Sequence, residues 1–112
     1  MINRELLEMA AKAVGYEGGY MFRAGGSKGS GLPYDIVGFQ RVGGAMWNPL
    51  NNDGDALRLA AALIIDIEWV TEYIVFANGN YSDDIKNHGN DHAATVRSVI
   101  VRAAAEIGKA MP

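Results

Sequence analysis

MWNPLNNDGDALRLAAALII, residues 46–65, places a tryptophan and a proline ahead of a cluster of amides and carboxylates, then runs into a long apolar stretch. A metal loop, an anion site and a helix start share these residue types. Asn51, Asp53 and Asp55 have the alternate oxygen spacing that opens a calcium loop, and Gly54 lies among them. An EF-hand loop, however, needs Gly at its sixth position and a bidentate Glu at its twelfth. Counted from Asn51, those positions are Ala56 and Ala62, so no metal site is expected here. A helix start fits better: Asp53 or Asn52 accepts from the first free amides, and Asp55 suits the positive end of the helix. Pro49 fixes the approach of the chain, and Trp47 is placed to pack over it.

The helix launched there, over about 53–64, carries Ala56, Leu57, Leu59, Ala60, Ala61, Ala62, Leu63 and Ile64, with only Arg58 interrupting. A helix apolar all round is expected to be covered on more than one side, by another helix or by a second subunit. This girth is the reason to expect a homodimer or larger assembly.

Two further helices flank it. In NRELLEMAAKAVG, Asn3 is a candidate cap, and Leu6, Leu7, Ala10, Ala13 and Val14 form one stripe. A Glu8–Lys12 pair has the favoured spacing, and Gly15 stops the helix. NDHAATVRSVIVRAAAEIGKAMP, residues 90–112, repeats the plan: Asn90 or Asp91 caps it, and Val96, Val99, Ile100, Ala103 and Ile107 form the stripe. Arg97, Arg102, Glu106 and Lys109 are expected to face water. Both read as surface helices laid against a core.

Strand signals come in pairs. YEGGYMF (16–22) and PYDIVGF (33–39) flank the glycine-rich RAGGSKGSGL, and IDIEWV (65–70) precedes EYIVFA (72–77). The alternation of Ile65, Ile67 and Trp69 with Asp66 and Glu68 predicts a strand with one wet face, whereas YIVFA predicts one covered on both faces. The order α-β-β-α-β-β-α predicts an α+β fold: an antiparallel sheet of about four strands layered with three helices, an alpha-beta-alpha sandwich. With 112 residues and no linker-like segment, a single domain over 1–112 is expected.

Composition narrows the chemistry. Apolar residues at 49% and charged residues at 21% suit a folded globular chain. There is no cysteine, which removes disulfides, thiolate metal sites and cysteine nucleophiles. A formal charge of −3 with interspersed signs leaves no wide positive field, so nonspecific nucleic-acid binding is not expected. MINRELLEMAAKAVG carries charges throughout and has no long apolar core, so no membrane span or secretion signal is expected and the cytoplasm is the simplest location.

GGSKGSG (25–31) matches neither the P-loop nor the dinucleotide fingerprint and reads as a hairpin connection, with Lys28 its one cation. His88 and His92 are four apart, yet Gly89 and Asn90 between them argue against a shared helical face, and His92 reads as solvated. Ser82, Asp83 and Asp84 sit together in a polar loop and read as solvated too. No serine or threonine lies in an elbow or triad signature, so neither an enzyme nor a cofactor is expected.

Two blocks resemble a known family. Trp47, Pro49, Leu50, Asp53, Gly54, Asp55, Ala56, Leu57, Arg58 and Leu59 match a W-x-P-L-x-x-D-G-D-A-L-R-L block. Ala93, Ala94, Thr95, Ile100, Val101, Arg102 and 103–108 match a closing A-A-T-R-R-A-I-V-R-A-A-A-E-I-G block, with Val96 in place of its first Arg and Arg97 taking the second. These blocks, about half the chain, are similar to the phage ABA sandwich domain of small phage and prophage proteins. The resemblance implies a small accessory protein made in a bacterial host and brings no catalytic residue.

The expectation is therefore a non-enzymatic protein that binds a host or phage protein and forms a homodimer. The alternative is a small-ligand binder sequestering a nucleotide signal, with Trp47, Asn51, Tyr81, His88 and His92 as candidate binding residues. It draws on two helix N-termini behind polar loops, with Trp47 or Tyr81 for stacking. Asp53, Asp55 and Asp91 weigh against it by putting negative charge where an anion would sit.

Overall fold

The computed structural model describes residues 2–23 and 36–112. The chain runs α1 (Asn3–Ala13), β1 (Gly18–Arg23), β2 (Ile36–Arg41), β3 (Met46–Trp47), α2 (Asp53–Leu63), β4 (Ile67–Trp69), β5 (Ile74–Ala77), β6 (Tyr81–Asp84), a 3-10 turn (Ile85–His88) and α3 (His92–Ala110). The fold is α+β and its pairing is antiparallel throughout. The strands form two three-stranded sheets, β1-β2-β3 and β4-β5-β6, in place of one sheet of about four. The glycine-rich connection, including Lys28, lies outside the described residues.

Two short strands raise the expected number of four to six. β3 follows Gly43 and Gly44, both at positive φ, where Arg41 N–H donates to the Ala45 carbonyl at 2.8 Å and turns the chain back on β2. β6 follows Asn78-Gly79, whose φ values of 53° and 71° make the tight reversal that brings Tyr81 opposite Ala77.

Helix α3 is the hub. Thr95, Val99, Ile100, Val101, Ala103, Ala104, Ala105 and Gly108 are all buried, so a helix expected to lie on the surface is covered on several sides. It meets α1, α2, β5 and β6. The reason is side-chain size. At Gly108 a Cβ would stand 1.8 Å from the Met9 carbonyl oxygen, so α1 and α3 touch backbone to backbone there.

Helix α1 starts after Ile2 with no side-chain cap, and Asn3 falls inside its first turn. Its surface pair is Arg4–Glu8 at 3.0 Å rather than Glu8–Lys12; the Lys12 ammonium donates to the Met111 carbonyl at 2.9 Å. Gly15, at φ 78°, closes the helix while Tyr16 N–H donates to the Ala11 carbonyl.

Helix α2 departs from expectation in the opposite sense to α3. It buries Ala56, Leu59 and Ala60 and half-buries Leu63 against the core, but leaves Leu57 69% exposed and Ala61 and Ala62 exposed. β4, expected to have one dry face, is exposed at all three residues, and β5 buries Val75 and Ala77 but only half-buries Ile74 and Phe76.

Candidate protein-binding surface

The residues around position 53 form a structural network. Asn52 is the cap of α2, its side chain accepting from Asp55 N–H at 2.9 Å. Asp55 accepts from Asn48 N–H at 3.0 Å and from the Arg58 guanidinium at 2.8 Å. Asn48 closes a local turn onto Leu50 N–H and donates to the Val37 carbonyl at 3.1 Å, tying the turn to β2. Arg97, expected in water, reaches across from α3 to the Leu50 carbonyl (2.9 Å) and Asp53 (2.6 Å). Every acidic or amide group from Asn48 to Asp55 named here holds backbone or an arginine. Among the described residues, no three His, Asp or Glu side chains come together as metal ligands.

The five candidate ligand residues are scattered. Trp47 is 4% exposed and held edge-on by Tyr16 and Phe39 at 5.3 and 6.0 Å, so neither ring face is open for stacking. It packs on these aromatics beside a buried Pro49. Asn51 borders a cavity of about 240 Å³ with Tyr20 and Asn48, while Tyr81 borders another of about 240 Å³ with Arg102 and Glu106. His88 sits in the 3-10 turn, and His92 opens α3, where its Nε2–H donates to the Glu72 carbonyl at 3.1 Å and its ring lies 5.4 Å from that of Trp69.

Asp83 is the tightest polar centre. Its side chain is 10% exposed, not solvated. It accepts from His88 Nε2–H at 2.6 Å, Ser98 Oγ–H at 3.0 Å, Asn87 at 3.0 Å and Asp84 N–H at 2.9 Å. Burial alone would raise its carboxyl, but the hydrogen bonds from Asn87, His88, Ser98 and the Asp84 amide outweigh burial and hold its pKa at about 2. Ser98 and His88 both donate to the same carboxylate oxygen, so the serine is not aimed at the histidine as a nucleophile is aimed at its base. The cluster fastens β6 and the 3-10 turn to α3. The spacing from Asp83 to Ser98 gave no sign of it, because the meeting depends on how β6 lies along α3.

A separate surface, on α2 and β4, is apolar and open. Leu57, Ala61 and Ile64 on α2, and Ile67, Trp69 and Val70 at β4, are exposed. Between them a groove of about 260 Å³ is lined by Ala56, Leu57, Ile67, Val96 and Ile100, with Asp53 and Arg97 at one side. Leaving a leucine in water forgoes about 1.5–3 kcal/mol of burial. Ile64 adds strain: it ends α2 in the left-handed region (φ 54°, ψ 48°) while 88% exposed. That conformation costs an L-residue about 1–2 kcal/mol, and a β-branched side chain is among the worst placed to adopt it.

No helix among the described residues is long and apolar enough to cross a membrane. In comparison with known proteins, the chain matches no family model, no curated protein and no solved structure.

Proposed function

We propose that the protein is a non-enzymatic binding protein, an accessory protein of phage or prophage origin, which docks a host or phage protein on the α2–β4 face and pairs with a second copy through that face when alone. The observation that carries this reading is Ile64: its backbone closes α2, its N–H donating to the Ala60 and Ala61 carbonyls in a left-handed position that glycine adopts at less cost, yet its apolar β-branched side chain lies almost wholly in solvent and serves no part of the core. Leu57 and Ile67 line the exposed groove beside α3, and the exposed Trp69 shares the Ile67 side of β4. The phage origin rests on the resemblance of the two sequence blocks around α2 and α3.

The test joins two measurements on the full chain and on a Leu57→Lys/Ile64→Lys variant. Sedimentation velocity at micromolar concentration is expected to give a dimer for the parent and a monomer for the variant. Pull-down from phage-infected bacterial cells is expected to recover a partner with the parent and lose it with the variant. A parent that stays monomeric and captures nothing that the variant fails to capture overturns the reading.

A further inference from the structure

The sheet β4-β5-β6 has two edges, and they are finished differently. In β6 the groups pointing outward belong to Ser82 and Asp84, because Ile85 N–H donates to Tyr73 and sets Asp83 opposite Val75 as an inward pair. Two of those four groups are engaged, the Ser82 carbonyl accepting from Arg102 at 3.0 Å and Asp84 N–H donating to the Asp83 side chain, and α3 packs against this strand. That edge is partly closed.

The β4 edge is open. Asn78 N–H donates to the Asp66 carbonyl at 2.7 Å and Val70 N–H donates to the Ile74 carbonyl at 3.0 Å, so residues 66, 68 and 70 point their backbone groups at β5. Ile67 and Trp69 therefore aim theirs outward, and among the described residues nothing hydrogen-bonds to them. Natural sheets guard such an edge with short length, charge, proline, a bulge or a covering element; β4 is three residues long and carries Glu68, a guard against another acidic strand that leaves a basic one admitted, and it has no lysine, proline or bulge. Side-chain alternation puts Ile67 on the groove side and Asp66 and Glu68, both exposed, on the other. From Leu59 to Ile85 the chain contains no lysine or arginine, while it contains Asp66, Glu68 and Glu72 around this edge.

We propose that the open edge of β4 takes an extended, lysine- or arginine-bearing segment of the partner protein as a fourth strand, with an apolar side chain of that segment seated in the groove between α2 and α3. The proposal rests on the reading of the α2–β4 face as the partner-binding face and specifies what binds there. A strand added at the usual spacing of about 4.8 Å lies beside Ile67 and over the groove mouth, so its alternate residues meet apolar wall on one side and carboxylates on the other. Charge selects the occupant. A second copy pairing antiparallel through Ile67 and Trp69 would set Glu68 directly opposite Glu68, which is unfavourable, whereas a basic residue there is favoured.

The experiment titrates the isotope-labelled full chain with a short acetylated, amidated peptide alternating valine and lysine, reading amide hydrogen exchange and chemical shifts by NMR. Slowed exchange is expected at the Ile67 and Trp69 amides, with binding about tenfold tighter than that of the matching valine–glutamate peptide. Glu68→Lys, on an exposed site, is expected to reverse the preference, and N-methylation of the lysine peptide along its pairing edge to abolish binding. Equal binding of the two peptides, binding of neither, or shifts confined to other elements overturns the proposal. If Leu57→Lys/Ile64→Lys abolishes partner capture while Glu68→Lys leaves it intact, the docking face stands and the added strand falls; if neither substitution matters, both fall.

Discussion

Helices α2 and α3 have similar apolar content by eye, yet the structure treats them oppositely. α3, with Arg97 reaching the turn before α2 and Arg102 reaching β6, is the buried centre; α2, with almost no polar side chain past its first turn, lies at the margin with Leu57 and Ile64 in solvent. The difference teaches that girth alone does not choose the central helix. A small residue does: Gly108 lets α1 close onto α3, while Arg97 and Arg102 reach carbonyls of neighbouring elements, Arg97 mostly buried and Arg102 still 40% exposed. The apolar surface of α2 is then left over for something other than this chain's own core.

The contrast is most sharply broken at Gly108. Gly108→Leu forces α1 off α3, and a loss of about 3 kcal/mol or more is expected, read as a lower urea midpoint or failure to fold. A paired truncation compares the helices directly. Ile100→Ala on α3 is expected to cost about 2–5 kcal/mol, whereas Leu57→Ala on α2, measured at a dilution that separates the paired copies, should stay within about 0.5 kcal/mol in the same urea series. Equal costs at that dilution would mean that the chain covers α2 by itself.

Acid reports on the fastening of β6 to α3. The Asp83 pKa is lowered from 3.8 to about 2, so its ionised form is favoured by folding. This contribution, about 1–2 kcal/mol, is fully present above pH 4 or so and fades as pH falls through about 2. Urea midpoints measured across that range should fall less steeply in Asp83→Asn than in the parent, from a lower starting value. The smallest expected effect is a gain. Ile64→Gly relieves the left-handed strain and, after the entropy cost of glycine, should stabilise by about 0.5–1 kcal/mol in thermal melts while weakening partner capture. Loss of stability there would remove the argument that Ile64 is kept for binding.

Much of this was legible. Asn52 and Asp91 cap the helices they precede, by the rule that short polar side chains satisfy the first free amides. The class of fold followed from alternating periodicities. Asn78-Gly79 carried a hairpin signal that would have revealed β6, and Gly43-Gly44 one for β3. The Asp83 cluster was not legible, because its partners come from three segments and no local pattern joins them.

By itself, the sequence determined where α2 and α3 start, that the fold is α+β, and that the acidic knot before α2 is a turn that launches the helix. These depend on neighbours a few residues away, whose hydrogen bonds and steric limits act locally. Only tertiary structure decided that α3 and not α2 is central, that the strands split into two sheets, and that β4 keeps an open acidic edge beside an apolar groove. Those outcomes depend on which surfaces fit closely enough to exclude water, and fit is a property of the assembled chain.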